Sequence, residues 1–538
     1  MNEVKTTIAN AVSELFNIDI EPELGRSEEQ FGDYATNAAL QLAPKLGKTP
    51  REIADALASK INGYGYYQKV EVAGPGFLNI TLKTADIWNM AANATQLAKL
   101  LGGQEILVEF GDPNPFKEMH IGHLYSYIVG DSICRLFETS GATVKRLSYH
   151  GDVGLHVAKA IYAIRKADIN MDDASSLNMG SYYAQGAKAY EEDQTARPEI
   201  DRINEQIYSR ADESINRIYD WGREQSFKYF DQILQQLGIK NDKRYLESQS
   251  ATTGLEFVRS NIGTVFKESD GAVIYEGEKV GLHTRVFITS KGLPTYEAKD
   301  LGLAELKNQD YPSAVRSIII TAHEQSEYFK VMLAALAEFD KPLADKTTHM
   351  SHGFLSLSTG KMSSRSGNVY GATDLLDDVK QTAKKLYPNS EDKMPLAAVK
   401  YGFLKHRLGT DIIYDVDESV SIEGNSGPYL QYAYARANGI LQKSTSVAAA
   451  VDLDENERSL ARKISEYPEV IQKATAELMP HFVCTYIYEL AQEFNRFYEH
   501  NRVIGDSREA TRIALVKAYA ETLKHGLGLL NIEAPERI

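Results

Sequence analysis

The stretch from Ile106 to Tyr149 constrains the fold more than any other part of this sequence. Ile106 to Phe110 is a short apolar run that predicts a buried strand, and 111–119 is a loop rich in Pro, Asn and Gly. The apolar spacing from Leu124 to Phe137 predicts a helix that stops near Gly141, and Thr143 to Tyr149 predicts a second strand. Strand, loop, helix and strand form a βαβ unit, which needs a parallel sheet covered by helices. The expected fold class is therefore α/β, a Rossmann-type parallel sheet with its ligand at the carboxyl ends of the strands and a helix N-terminus facing phosphate.

At 538 residues the chain is too long for one core, and the pattern divides it. Residues 1–85 predict an α+β unit. Val4, Ile8, Val12 and Leu15 share a helix face, and Thr49-Pro50-Arg51-Glu52 is a capping box that opens a helix bearing Ile53, Leu57 and Ile61. Strands are expected at Val70 to Val72 and Leu78 to Leu82, joined by the turn Ala73 to Gly76, with a helix near 84–101. The sheet domain spans 104–375, with a charged helical insertion at about 155–250 that carries no catalytic signature. Strand patterns return at Ala272 to Tyr275, Thr284 to Thr289 and Ser317 to Thr321. Beyond 375 the pattern is helical, a connecting segment over 376–424 and an all-α bundle over 425–538, where Val483, Ile487, Leu490, Phe494 and Phe497 share a face. Thr445 to Asp454 reads as a surface loop.

Composition narrows the class only a little. Hydrophobic residues at 43% and charged residues at 25% suit a globular chain, and a net charge of −15 argues against nucleic-acid binding through a global positive field. Cys134 and Cys484 stand apart in apolar helical patterns, so neither a disulfide framework nor a zinc site is expected. No apolar run is long enough for a membrane span, so no membrane contact and a cytoplasmic setting are expected.

Two signatures carry chemistry. His120-Ile121-Gly122-His123 lies where the helix N-terminus is predicted, and two imidazoles three apart can donate hydrogen bonds to phosphate while the glycine admits a nucleoside. Gly360-Lys361-Met362-Ser363-Ser364-Arg365 is a glycine-bounded cationic loop able to close over a triphosphate. Alone, the first equally caps a helix or binds a metal, and the second is an ordinary polar turn. The second is no P-loop, because methionine follows Gly360-Lys361.

In this order, HIGH after a first strand and KMSS after a last one, the pair resembles the class I aminoacyl-tRNA synthetases. The flanking residues resemble the arginyl-tRNA synthetases in particular: Glu109-Phe110-Gly111-Asp112-Pro113-Asn114, then Lys117, before HIGH, and Gly427-Pro428-Tyr429-Leu430-Gln431-Tyr432-Ala433 at the start of the bundle. Gly32-Asp33-Tyr34-Ala35-Thr36-Asn37, Ala73-Gly74-Pro75-Gly76-Phe77 and the ending Glu533 to Arg537 resemble that family as well, the first two its extra N-terminal domain, which contacts the tRNA corner.

The resemblance implies a ligase that activates L-arginine with ATP and Mg2+ and esterifies tRNA-Arg, with no protein-held metal and the chain acting as a monomer. It implies arginine-binding roles for Glu109, Asn114, Tyr296, Asp300 and Gln325, of which Tyr296 and Asp300 would share a helical turn. It implies ATP-binding roles for His120, Gly122, His123, Lys361, Met362 and Ser363. His120, His123, Lys117, Lys361 and Arg365 are the expected catalytic residues, and Tyr429, Gln431 and Tyr432 the expected tRNA contacts. Lys117 is expected to supply the charge that Ser364 removes from the usual KMSKS loop. The sequence departs from the family at Lys299, Tyr125, Val153 and Tyr434. Two other readings stay open: a class I synthetase for another amino acid, and a catalytically silent tRNA-binding paralogue.

Overall fold

Five parallel strands organise the molecule: Glu105–Phe110, Thr143–His150, Lys243–Leu246, Ala314–Ala322 and Thr347–His352. The computed structural model describes residues 1–169, 171, 179–360, 370–388, 390–446 and 452–537. In space the strands run 347–352, 314–322, 105–110, 143–150, 243–246, all in parallel register. The order reverses between 105–110 and 314–322, and such a switch opens a crevice beyond the strands' carboxyl ends. Isoleucines 318, 319 and 320 are buried, as an interior parallel strand requires. The helix Ile121–Thr139 follows the first strand across one face.

Several local expectations change. The strand Lys243–Leu246 belongs to the main sheet, so 243–250 are part of the sheet domain and not of the insertion. The helix expected near 84–101 ends at Ala92, and Leu15 is exposed although Val4, Ile8 and Val12 are buried. Ala272–Tyr275 and Arg285–Ile288 pair in a separate three-stranded antiparallel sheet. The helical region beyond 375 is interrupted by the strand Ile412–Tyr414, which pairs with Leu355–Leu357. The loop expected at Thr445 to Asp454 lies partly outside the described residues.

The insertion has a core of its own, and the sheet-domain residues Phe116 and Val153 complete it. Phe116, from the loop before HIGH, is buried with Val153, Ile161 and Tyr219. It stacks on Tyr219 at 6.4 Å between ring centroids. Apolar burial of one phenyl ring is worth about 2 kcal/mol, so the insertion anchors that loop.

The two ends of the chain are tied to each other and to the sheet. The N-terminal unit is a four-stranded antiparallel sheet with helices Asn2–Phe16, Ala38–Leu46, Pro50–Gly63 and Thr84–Ala92. Its Asp33 is fully buried and accepts from Arg458 at 2.7 Å and Arg462 at 3.2 Å, both on the bundle helix Glu455–Ser465. Tyr34 donates to Glu469 at 2.6 Å, and Arg26 Nε lies 2.9 Å from the same carboxylate. At the other end, Asn531 donates to Asp131 on the HIGH helix at 2.9 Å, and Ser132 donates to the Leu529 carbonyl at 3.0 Å. The helix that carries HIGH is thus held from behind by the last residues of the bundle.

Candidate active site

A cavity of ≈ 430 Å³ opens at the switch point, lined by Glu109 near the end of the first strand, Gly111 and Asp112 just beyond it, and Ile320, Thr321 and Ala322 at the end of the fourth. One side is the HIGH turn. His120 caps the helix: its Nδ1 accepts from Gly122 N at 3.1 Å, while His123 Nδ1 accepts from His120 N at 3.2 Å. The rings stack with centroids 3.6 Å apart. Burial pushes the His120 imidazole down to about 4 and His123 well below its ordinary value, and the nearby Lys117 charge adds to both. Both rings are therefore neutral. With each Nδ1 accepting a backbone N–H, each proton sits on Nε2, which leaves each ring one N–H donor.

Lys117 stands beside them, with its ammonium 5.0 Å from the centre of the Tyr183 ring on the insertion helix Met179–Glu192. Burial and Lys159 lower its affinity for a proton. Lys361, Met362, Ser363, Ser364 and Arg365 lie outside the described residues. Their loop starts after Gly360 and ends at Tyr370, whose carbonyl accepts from Ile121 N at 3.2 Å, and Ala372 N donates to Met119 O at 2.8 Å. The end of the loop is thus stitched to the HIGH turn by backbone bonds.

The opposite side is anionic. Glu109, Asp112, Glu247 and Asp300 line it, and Glu324 stands exposed at the rim. Glu109 Oε2 is held by the buried Lys307 at 2.9 Å, and Glu247 Oε2 by Lys299 at 2.6 Å. Asp300 accepts from Tyr328 Oη at 2.6 Å and has no cation partner among the described residues. Burial pushes its carboxyl up to about 8, with Glu109 and Glu247 adding to the effect. Tyr296 and Asp300 share the first turns of the helix Tyr296–Asp310, as the spacing predicts, but Tyr296 is 68% exposed and stands at the mouth. Asn114 Oδ1 accepts from Gly151 N at 2.9 Å, and Gln325 lines the same cavity.

The chain matches three family models in series: "Arginyl tRNA synthetase N terminal domain" over 2–82, "tRNA synthetases class I (R), catalytic domain" over 86–414, and "DALR anticodon binding domain" over 430–538. It is 32% identical to the arginine–tRNA ligase of Lactobacillus delbrueckii subsp. bulgaricus, over 97% of each chain. The chain belongs to the arginyl-tRNA synthetase family. It is also 28% identical to the arginine–tRNA ligase of Flavobacterium psychrophilum, over 99% of this chain and 98% of the other. In fold it is similar to the arginyl-tRNA synthetases of Thermus thermophilus (TM-score 0.85, 24% identity, 100% of each chain) and Plasmodium falciparum (TM-score 0.81, 22% identity, 100% of this chain and 99% of that one).

Among the residues that line this synthetase's cavity, Asp112, Tyr149, Glu247 and Tyr328 are not singled out as site residues by the sequence. Glu247 and Tyr328 reach it only through the tertiary fold. The departures from the family pattern have plain partners. Lys299 pairs with Glu247, Tyr125 packs edge-on against His352 and Phe403, Val153 sits in the insertion core and Tyr434 is buried in the bundle.

Of the expected tRNA contacts, Gln431 is corrected: it is 1% exposed and donates to the Glu533 carbonyl at 2.8 Å, so it ties the bundle to the chain's end. Tyr429 is half-buried and accepts from Asn495 at 2.8 Å. Tyr432 is exposed under the Arg436 guanidinium, 4.9 Å from its ring centre. Arg436 leads into a groove of ≈ 720 Å³ lined also by Lys443, Tyr498 and Arg502.

Proposed function

We propose that this chain, as an arginine–tRNA ligase, divides its cavity between a carboxylate half for L-arginine and a HIGH half for ATP. The observation that supports the division is the pairing of two neutral imidazoles, each with a free Nε2 donor, with an anionic wall across one switch-point crevice. The arginine carboxylate attacks the α-phosphorus of ATP, the arginyl–phosphate bond forms and pyrophosphate leaves. The 2′-hydroxyl of the tRNA's terminal adenosine then attacks the arginyl carbonyl, and AMP leaves.

In this reading Asp300 and Glu109 receive the guanidinium fork, with Tyr296 closing the mouth, while Asn114 and Gln325 hold the α-amino end. His120 and His123 donate from Nε2 to phosphate oxygens, and Gly122 leaves room for the nucleoside. Lys117 supplies positive charge at the leaving pyrophosphate together with Lys361 and Arg365, and Met362 and Ser363 complete the loop's contact with ATP. Such chemistry rests on positioning and charge stabilisation, so no covalent nucleophile is assigned. Mg2+ enters on the triphosphate and neutralises charge there.

For tRNA, the exposed Tyr432, Tyr498 and Arg502 and the half-buried Arg436 offer stacking faces and cations suited to unpaired bases, and Phe77, 41% exposed on the N-terminal unit, offers another. Action as a monomer is part of the same reading, as the family resemblance implies. A cytoplasmic setting is proposed on the chemistry, since tRNA, ATP and arginine meet there.

Amino-acid-dependent pyrophosphate exchange, with and without tRNA, tests the reading. Exchange should need arginine and should need tRNA. Exchange with another amino acid would reassign the substrate, and none with any amino acid would favour the silent paralogue.

A further inference from the structure

The loop that carries Lys117 is held by two helices of the insertion. Phe116 has a left-handed backbone, φ 66°, which a bulky residue adopts only under strain. The helix Glu213–Leu237 keeps it there: Ser226 Oγ accepts from Phe116 N at 2.8 Å and donates to the Gly222 carbonyl at 2.8 Å. A Cβ on Gly222 would lie 2.2 Å from the Phe116 ring, so this approach needs a glycine. The second helix, Met179–Glu192, packs its Gly180 against the Glu118 side chain, where a Cβ would lie 2.3 Å from Cγ. Lys117 thus stands between two neighbours that the insertion fixes.

One turn along that second helix, the Tyr183 ring faces the Lys117 ammonium, 5.0 Å from ring centre to Nζ. Tyr183 is half-buried against the insertion core. Tyr190, two turns further on the same face, lies 4.6 Å from the Lys159 ammonium in the same way. Gly186 between them sits so close to the helix Leu155–Lys166 that a Cβ would lie 1.9 Å from the Lys159 carbonyl oxygen, so the row of tyrosines is firmly seated. Among the described residues no carboxylate lies within ion-pair distance of Lys117. Its charge reaches His120 and His123, where it adds to the effect of burial on both imidazoles. A carboxylate would hold the ammonium and cancel its charge, whereas an aromatic face attracts a cation and leaves the charge whole. Resting on the reading of Lys117 above, we propose that Tyr183 is a positioning residue for adenylate formation, the face of its ring holding the Lys117 ammonium beside the HIGH turn without neutralising it. The insertion is then the mount for that cation.

The test measures single-turnover adenylate formation by the full-length enzyme with saturating ATP, arginine and tRNA, and alongside it the arginine KM. Tyr183→Leu removes the aromatic face and keeps an apolar side chain. It should slow adenylate formation by roughly 3- to 30-fold and leave the arginine KM within about twofold of wild type. Tyr183→Phe keeps the face and should retain the rate to within about twofold. In a Lys117→Ala background Tyr183→Leu should cost nothing further, because the cation that the ring holds is gone. A packing defect in the insertion would slow both backgrounds alike, so equal losses in the two would overturn the proposal. A loss below about threefold in Tyr183→Leu would overturn it as well, as would a Tyr183→Phe enzyme as slow as Tyr183→Leu. A wild-type rate in Lys117→Ala would instead overturn the reading of Lys117 itself, and the proposal would fall with it.

Discussion

The two halves of the cavity handle charge in opposite ways. On the proposed division the amino-acid half stores it: four carboxylates converge, Glu109 and Glu247 paired with buried lysines, Asp112 and Asp300 without a cation at ion-pair distance among the described residues. On the same division the nucleotide half withholds it: its imidazoles are neutral, their Nδ1 atoms are spent on the backbone, and Lys117 comes from the loop before the helix. The difference follows from the ligands. Arginine is a small cation, and carboxylates fixed on a strand and a helix can match its fork without moving. ATP gains its most demanding charge only as pyrophosphate leaves, so donors preset on a helix cap serve it better.

The largest effect that separates the halves is expected at Lys117. Lys117→Ala should slow adenylate formation by roughly 10²–10³ with little change in the arginine KM, as for loss of one preorganised donor at a charged transition state. Adding Ser364→Lys should restore part of the rate. Single-turnover measurements with tRNA present decide it, and a Lys117→Ala enzyme within about threefold of wild type would end the compensation idea.

Asp300→Asn should act on the other half only, raising the arginine KM by roughly 30- to 150-fold, or about 2–3 kcal/mol, while single-turnover rates at saturating arginine change little. Glu109→Gln should combine a similar KM defect with a lower melting temperature, because Lys307 would be left buried without its counter-charge. Equal melting temperatures for wild type and Glu109→Gln would show that Lys307 does not depend on the pair.

pH should divide the halves as well. Burial and the Glu109 and Glu247 charges hold the Asp300 carboxyl up to about 8, so below that pH it carries a proton that arginine must displace. Arginine affinity should therefore rise with pH, up to about tenfold per unit below 8, and level off above it. His120, pushed down to about 4, is neutral throughout pH 6 to 8, so ATP affinity should stay flat over that range. Titrating both ligands in buffers of different ionisation enthalpy would expose the released proton. A flat arginine profile would mean that Asp300 is already ionised.

The smallest effect is expected at the cap. His120→Asn keeps an acceptor where Nδ1 stands and removes the Nε2 donor, so melting temperature should hold while adenylate formation falls by about tenfold. A fall in stability with an unchanged rate would make His120 a structural cap alone.

Much of this molecule was legible from residue order. A βαβ pattern, a capping box and a period of 3.6 are local, and local steric and hydrophobic preferences suffice to fix strands, helices and the HIGH turn at a helix start. The helix Pro50–Gly63, the burial of Val483 through Phe497 on one face and the Tyr296/Asp300 turn all follow that logic. Pairings across the chain do not. Nothing near Glu109 announces Lys307, which lies 198 residues away, and nothing in Gly32-Asp33-Tyr34 announces that Asp33 will be clamped by Arg458, 425 residues away. Asp112 reads as a loop residue until the sheet closes and aims it at the cavity. Gln431 reads as a polar contact for tRNA until the chain's end covers it. The sequence by itself determined the elements, their order and the family's signatures, because these depend on neighbours a few residues apart. Tertiary structure alone decided which charges are answered and which are left for the substrate, because burial and counter-charge depend on groups brought together from distant parts of the chain.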